Sequence, residues 1–155
     1  LERAIEGLKC DTAVHICYGY GIKANTDWKQ TLGSEWRQYE AIFPKLQQSA
    51  IDMVSLECHN SRVPMELIEL IRGKKVMVGA IDVATHQIET PEQVAETLHK
   101  ALQFVDAENL YPCTNCGMAP LPRHVAQGKL SALAQGAKLV RNDYLATHQL
   151  DDLII

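Results

Sequence analysis

The sequence predicts an α/β domain of parallel strands covered by helices. Three observations predict it: short strands of near-continuous apolar residues, a helical segment after each, and chemistry-bearing side chains gathered at the strands' C-terminal ends. Four strand-then-helix units follow one another at a spacing of about 30 to 40 residues, which suits either a doubly wound sheet or a barrel.

Residues 1–8 carry the apolar spacing of the last two turns of an amphipathic helix, so the chain reads as a piece of something longer. Residues 12–18 are rich in β-formers and closed by Gly19, predicting a first strand with His15 and Cys17 near its end. Side chains two apart in a strand share a face, so these two point the same way. The polar residues 21–34, including Asn25, Asp27 and Gly33, predict an active-site loop in which Trp28 is the candidate ligand contact. Between 35 and 48, Trp36, Tyr39, Ile42, Phe43 and Leu46 recur at helical spacing, so Trp36, Tyr39 and Phe43 read as core, and Pro44 predicts a kink or split.

A second strand spans 51–57 and ends on Glu57. Pro64 suits the first turn of a helix over 64–72, and Gly73 suits its end. A third strand covers 75–82, placing Asp82 at its C-terminal end. Thr90-Pro91-Glu92-Gln93 combines an N-cap, a proline at the first helical position and a glutamine at N3, which predicts a helix running to about 105. The fourth strand covers 109–116 and the fourth helix 122–141. Residues 145–155 read as a short docking segment or a frayed end. His99, His124 and His148 fall on helices or the tail, where solvated or satisfied histidines are expected, and Cys10 has no partner in view.

With 155 residues, 46% hydrophobic, the chain can bury the core of one domain. A net charge of −4 and a pI near 5.8 leave no basic footprint, which argues against nucleic acid and anionic membranes as partners. No apolar run approaches the roughly 20 residues of a spanning helix, and no signal peptide opens the chain, so a cytoplasmic protein is expected. There, five cysteines point to metal binding, redox chemistry or plain burial rather than disulfides.

Zinc takes nitrogen and thiolate ligands in a tetrahedron, and a carboxylate completes the set in catalytic sites. His15, Cys17, Glu57 and Cys116 supply that combination from three strand ends, with buried thiols as the competing reading. Cys58 and His59 are alternative ligands. Cys113-x-x-Cys116 also offers a redox pair, although Pro120 and Pro122 follow too closely for the usual helix start. A strand position three residues before Cys116 points to the opposite face, so Cys113 is expected in the core. Asp82 could orient a ligand or bind a substrate amine, or be an ordinary turn former.

The motifs His15-Ile-Cys17-Tyr18, Ser55-Leu-Glu57 and Asn115-Cys116-Gly117-Met118, in that order, resemble the catalytic domain of the cobalamin-independent methionine synthase family. The resemblance extends to Val63-Pro-Met-Glu-Leu67 and Val78-Gly-Ala-Ile-Asp82 and is greatest to the short, core-only, folate-independent members. It implies a (β/α)8 TIM barrel of which residues 1–155 are the C-terminal half, the last four βα units. It also implies His15, Cys17, Glu57 and Cys116 as ligands of Zn2+, with Glu57 displaced by the incoming sulfur of homocysteine during methyl transfer. Where folate-using members carry a histidine two residues after the aspartate, this chain has Ala84, with His86 nearby, which points to another methyl carrier or a companion protein. A half-barrel leaves two sheet edges unpaired, so the missing half or a homo-oligomer is the expected partner.

Overall fold

The structure is a computed structural model and describes residues 1–20 and 22–151. Four strands, β1 (Ala13–Ile16), β2 (Met53–Glu57), β3 (Lys75–Gly79) and β4 (Leu110–Cys113), form one parallel sheet in sequential order. In register, Val14, Val54, Val76 and Leu110 lie side by side, and so do Ile16, Leu56, Val78 and Pro112. Val54, Leu56, Val76 and Val78 from this face join the core with Phe43, Leu46, Ile71, Val94 and Leu98 from the flanking helical segments. The opposite face carries Ala13, His15, Met53, Ser55, Met77, Tyr111 and Cys113. Here Ala13, His15 and Tyr111 are exposed and Met53 and Met77 half-buried. Sequential parallel strands with the buried apolar residues on one face form an arc of a (β/α)8 barrel; a doubly wound sheet would reverse its strand order and bury both faces.

The helices are α1 (Glu2–Ile5), α2 (Lys23–Gln30), α3 (Phe43–Gln48), α4 (Pro91–Ala101) and α5 (Arg123–Asp151). The N-terminal helix is a single short turn rather than two. Residues 21–34 are not the loop their polarity predicts, because α2 occupies Lys23–Gln30, braced by a Lys23–Asp27 ion pair one turn apart; Gly21 lies outside the described residues. None of its side chains is buried, so no apolar stripe announces it. Pro44 splits the expected helix rather than kinking it: a 3-10 turn at Gln38–Ala41 ends before it, and Pro44 sits in the first turn of α3, where its missing N–H costs nothing. The segment after Pro64 is a 3-10 helix, Met65–Ile71.

The Thr90 capping box forms as expected: Gln93 N–H donates to Thr90 Oγ1 and Thr90 N–H to Gln93 Oε1. That helix ends at Ala101, four residues early, and α5 runs ten residues beyond its expected end. The side chain of His148 and residues 152–155 of the predicted tail lie outside the described residues. Among the described residues no helix is long and apolar enough to cross a membrane.

Candidate metal centre

β1 ends at Ile16 and delivers His15 and Cys17 to the sheet's open face, while β4 ends at Cys113, three residues before the predicted limit. The chain then turns through Thr114 and Asn115. Asn115, 1% exposed, accepts from Cys58 N–H at 3.1 Å and donates to the His59 carbonyl at 2.8 Å, locking this turn to the end of β2. Gly79 makes room for it: a Cβ there would stand 2.5 Å from Asn115 Oδ1 and 2.6 Å from the Leu56 carbonyl oxygen. The turn returns Cys116 to the open face, where ligand atoms of His15, Cys17 and Cys116 all lie within 4.8 Å of one another.

This donor set fits a soft divalent cation. Ligands about 2.0–2.3 Å from a tetrahedral zinc lie roughly 3.3–3.8 Å apart, so modest side-chain movement closes the cluster. The Cys17 thiol is pushed above its ordinary pKa, first by burial and then by the neighbouring Cys116 and Glu57, with the Gly19 N–H opposing. Thiols crowded together this way resist joint ionisation until a cation compensates them. His15 Nδ1 lies 3.0 Å from Ser55 Oγ, which fixes the ring and leaves Nε2 for a metal when Nδ1 carries the proton.

Glu57 is 3% exposed and does not join the cluster. One carboxylate oxygen accepts from Tyr18 N–H at 3.1 Å and the other from Tyr20 O–H at 2.6 Å. Burial and that carboxylate together raise the Tyr20 pKa, so the phenol keeps its proton and remains a donor. Gly19, with φ of +79°, turns the chain so that both donors face Glu57.

The other candidates separate. Cys113 is not on the helix-packed face: in register with Gly79 and Glu57 it shares the open face, and its thiol lies 3.9 Å from Ser55 Oγ. The strand ends at Cys113, and the turn after it reverses the alternation that an unbroken strand to Cys116 would keep. Burial pushes the Cys113 thiol up to about 11 and Cys58 up to about 12. Cys58 points its sulfur at the Leu56 carbonyl, and His59 pairs with Thr97 of α4 at 3.0 Å. Asp82 stands three residues beyond β3, where one oxygen accepts from Ala84 N–H at 2.8 Å and the other from Asn60 at 3.3 Å. Trp28 stacks on Tyr18, and Trp36, Tyr39 and Phe43 are buried in the core as expected, with Trp36 also lining the neighbouring cleft.

Sequence reading missed Lys129 and Glu89. The Lys129 ammonium, with no exposed side-chain surface, bonds both Glu89 carboxylate oxygens at 3.0 Å and the Asp82 carbonyl at 2.8 Å, and also reaches the Gln87 carbonyl. Their separation by 40 residues left no local signal; only lysine's presence at an apolar helix position, between Val125 and Ala132, could have hinted at it.

Fold and site together define an arc of a parallel (β/α)8 barrel with a His-Cys-Cys cluster at its strand ends. The cobalamin-independent synthase catalytic-domain family matches residues 7–139, and the chain belongs to that family. It is 28% identical over 146 residues to a methionine synthase of Saccharolobus islandicus, covering 92% of this chain and 38% of that protein. It is likewise 28% identical over 145 residues to a methionine synthase of Sulfurisphaera tokodaii, covering 92% and 37%. Among solved structures, a B12-independent methionine synthase from Shewanella sp. W3-18-1 in complex with selenomethionine is 77% identical, with a TM-score of 0.90, over 94% of this chain and 43% of that one. The chain thus spans less than half the length of these relatives.

Proposed function

We propose that this chain is the C-terminal half of a zinc-dependent methyltransferase barrel that methylates the thiol of homocysteine to give methionine. The observation that carries the reading is the convergence of His15, Cys17 and Cys116 within 4.8 Å at the open end of the sheet. Zinc bound there supplies Lewis acidity, which lowers a substrate thiol's pKa and keeps it a nucleophilic thiolate at neutral pH.

His15, Cys17 and Cys116 hold the metal, and Ser55 orients the imidazole. Glu57, whose carboxylate is held by Tyr18 N–H and Tyr20 O–H, would be the fourth donor to the metal. Two thiolates keep the site electron-rich. We assign the substrate amine to Asp82, whose carboxylate accepts from Ala84 N–H and Asn60. The selenomethionine bound by the 77% identical relative is the selenium analogue of methionine, which supports methionine as product.

The exposed residues of the open face and the free edges of β1 and β4 favour closure by a complementary half-barrel, from further residues of a longer chain or from a second copy. With Ala84 two residues after Asp82, the methyl group comes from a carrier other than folate or through a companion protein. The test is methionine formation from homocysteine by the zinc-loaded protein with its complementary half and a panel of methyl donors. Activity that vanishes in Cys116→Ser supports the reading; activity unchanged by that substitution overturns it.

A further inference from the structure

Residues 82–89 lie between β3 and α4, at the end of the sheet where the thiolate cluster forms. Their middle, 84–88, is exposed, while Asp82 and Glu89 at the two ends are buried. Lys129 of α5 meets both ends from within. Its ammonium bonds both Glu89 carboxylate oxygens and donates to the Asp82 and Gln87 carbonyls, and Glu89 Oε1 accepts the Asp82 N–H at 2.9 Å. Both main-chain polar groups of Asp82 therefore end on a single ion pair. The residue before it is held too: the Ile81 carbonyl accepts Asn115 N–H at 2.9 Å, in the turn that presents Cys116. On this fixed backbone the Asp82 carboxylate is aimed by two further donors, Ala84 N–H and Asn60 Nδ2.

Two glycines bring α5 close enough for this. A Cβ at Gly136 would stand 2.5 Å from Val94 Cβ and 2.7 Å from the Pro91 carbonyl oxygen, and one at Gly128 would meet Ile88 Cδ1 at 2.4 Å. The helix thus closes on the segment 88–94, and Lys129, next to Gly128, reaches the loop ends with no exposed side-chain surface.

Stability alone gives a poor account of the pair. Taking two charges out of water is costly, and apolar side chains of similar volume commonly replace a buried ion pair without loss or with a gain. What they cannot supply is a donor for the Asp82 and Gln87 carbonyls and an acceptor for the Asp82 N–H.

We propose that Lys129 and Glu89 are positioning residues for substrate recognition: they clamp the main chain at Asp82 and hold its carboxylate where the substrate's ammonium group docks. This rests on the assignment of the amine to Asp82, while the clamp itself needs neither substrate nor zinc. A carboxylate held at one point favours an amino thiol over the same thiol without its amine, because a charge-assisted hydrogen bond weakens steeply as its distance and angle depart from the optimum.

The test is calorimetric titration of the zinc-loaded full chain with homocysteine and with 4-mercaptobutanoate, the same thiol acid without the amine. The ratio of the two affinities is the readout, because partial unfolding lowers both alike and leaves the ratio unchanged. The native chain should prefer homocysteine, Asp82→Asn should cut that preference roughly 10–100-fold, and Lys129→Met should cut it roughly tenfold. Adding Glu89→Gln to Lys129→Met should recover melting temperature in part without recovering the preference, because the Asp82 carbonyl still lacks its donor. Amide hydrogen exchange read by mass spectrometry should show residues 82–89 less protected in Lys129→Met, at a temperature where β1 to β4 stay as protected as in the native chain. The proposal is overturned if Asp82→Asn loses the preference while Lys129→Met keeps it, if the preference returns with stability in the double variant, or if exchange at 82–89 is unchanged. A native chain with no preference, or an Asp82→Asn variant that keeps it, sinks the amine assignment and the recognition role with it, whereas the exchange result still decides whether the clamp exists.

Discussion

Replacing Lys129 by Met keeps the length of the side chain and removes its charge. Glu89, 6% exposed, then stays buried without its cation, and the carbonyls of Asp82 and Gln87 lose their donor. Glu89 in turn holds the chain at Asp82, accepting its N–H at 2.9 Å, so the loop that carries Asp82 loosens at both ends. Breaking one side of a buried ion pair costs about 3–5 kcal/mol, because the surviving charge keeps its desolvation penalty. For a domain of this size each kcal/mol moves the melting temperature by roughly 2–4 °C, so Lys129→Met should melt roughly 6–20 °C lower. Thermal unfolding followed by circular dichroism measures this directly. Neutralising the orphan with Glu89→Gln in the same chain should recover part of the loss. A single variant that melts within about 2 °C of the native chain, or a double variant no better than the single, would refute this reasoning.

Ser55→Ala removes the partner of His15 Nδ1 and should weaken zinc binding roughly 10–100-fold in a chelator competition, without changing the number of ions bound; unchanged affinity would remove Ser55 from the site. Burial raises the pKa of Cys113 and Cys58 and shields both thiols, so at pH 8 iodoacetamide should label the exposed Cys10 first and these two last, as read by peptide mass spectrometry. Labelling of Cys58 at the rate of Cys10 would contradict its burial. The Asp52 carboxylate accepts from both Thr12 N–H and Thr12 Oγ1, which lowers its pKa in the folded state. The stability it supplies is therefore complete above about pH 4 and lost as the pH falls through the folded value; Asp52→Asn should be less stable at neutral pH and flatten the acid limb of the stability profile.

The strands were legible because their apolar runs are short and bounded by polar turns, and α4 because Thr90, Pro91 and Gln93 act within four residues of one another. Strand alternation placed His15 with Cys17, and strand ends placed Cys116 near both. What stayed hidden depends on distant pairing. The position of Cys113 is decided by a turn whose anchor, Asn115, bonds to residues 56 and 57 positions away. Glu57 was grouped with the ligands by residue type, and only the fold reveals that Tyr18 and Tyr20 hold its carboxylate. The helix α2 leaves no pattern because it buries nothing, although it sets Lys29 over Tyr20 and so shapes the cleft. Strand order, rather than any local motif, separates a barrel arc from a doubly wound sheet.

The central claim is the metal site, and zinc stoichiometry by elemental analysis of anaerobically purified protein tests it most directly. About one zinc per chain is expected, lost in Cys116→Ser and kept in Cys113→Ser. A native chain without zinc, or a Cys113→Ser variant that loses it as Cys116→Ser does, would contradict the assignment of His15, Cys17 and Cys116 as its holders.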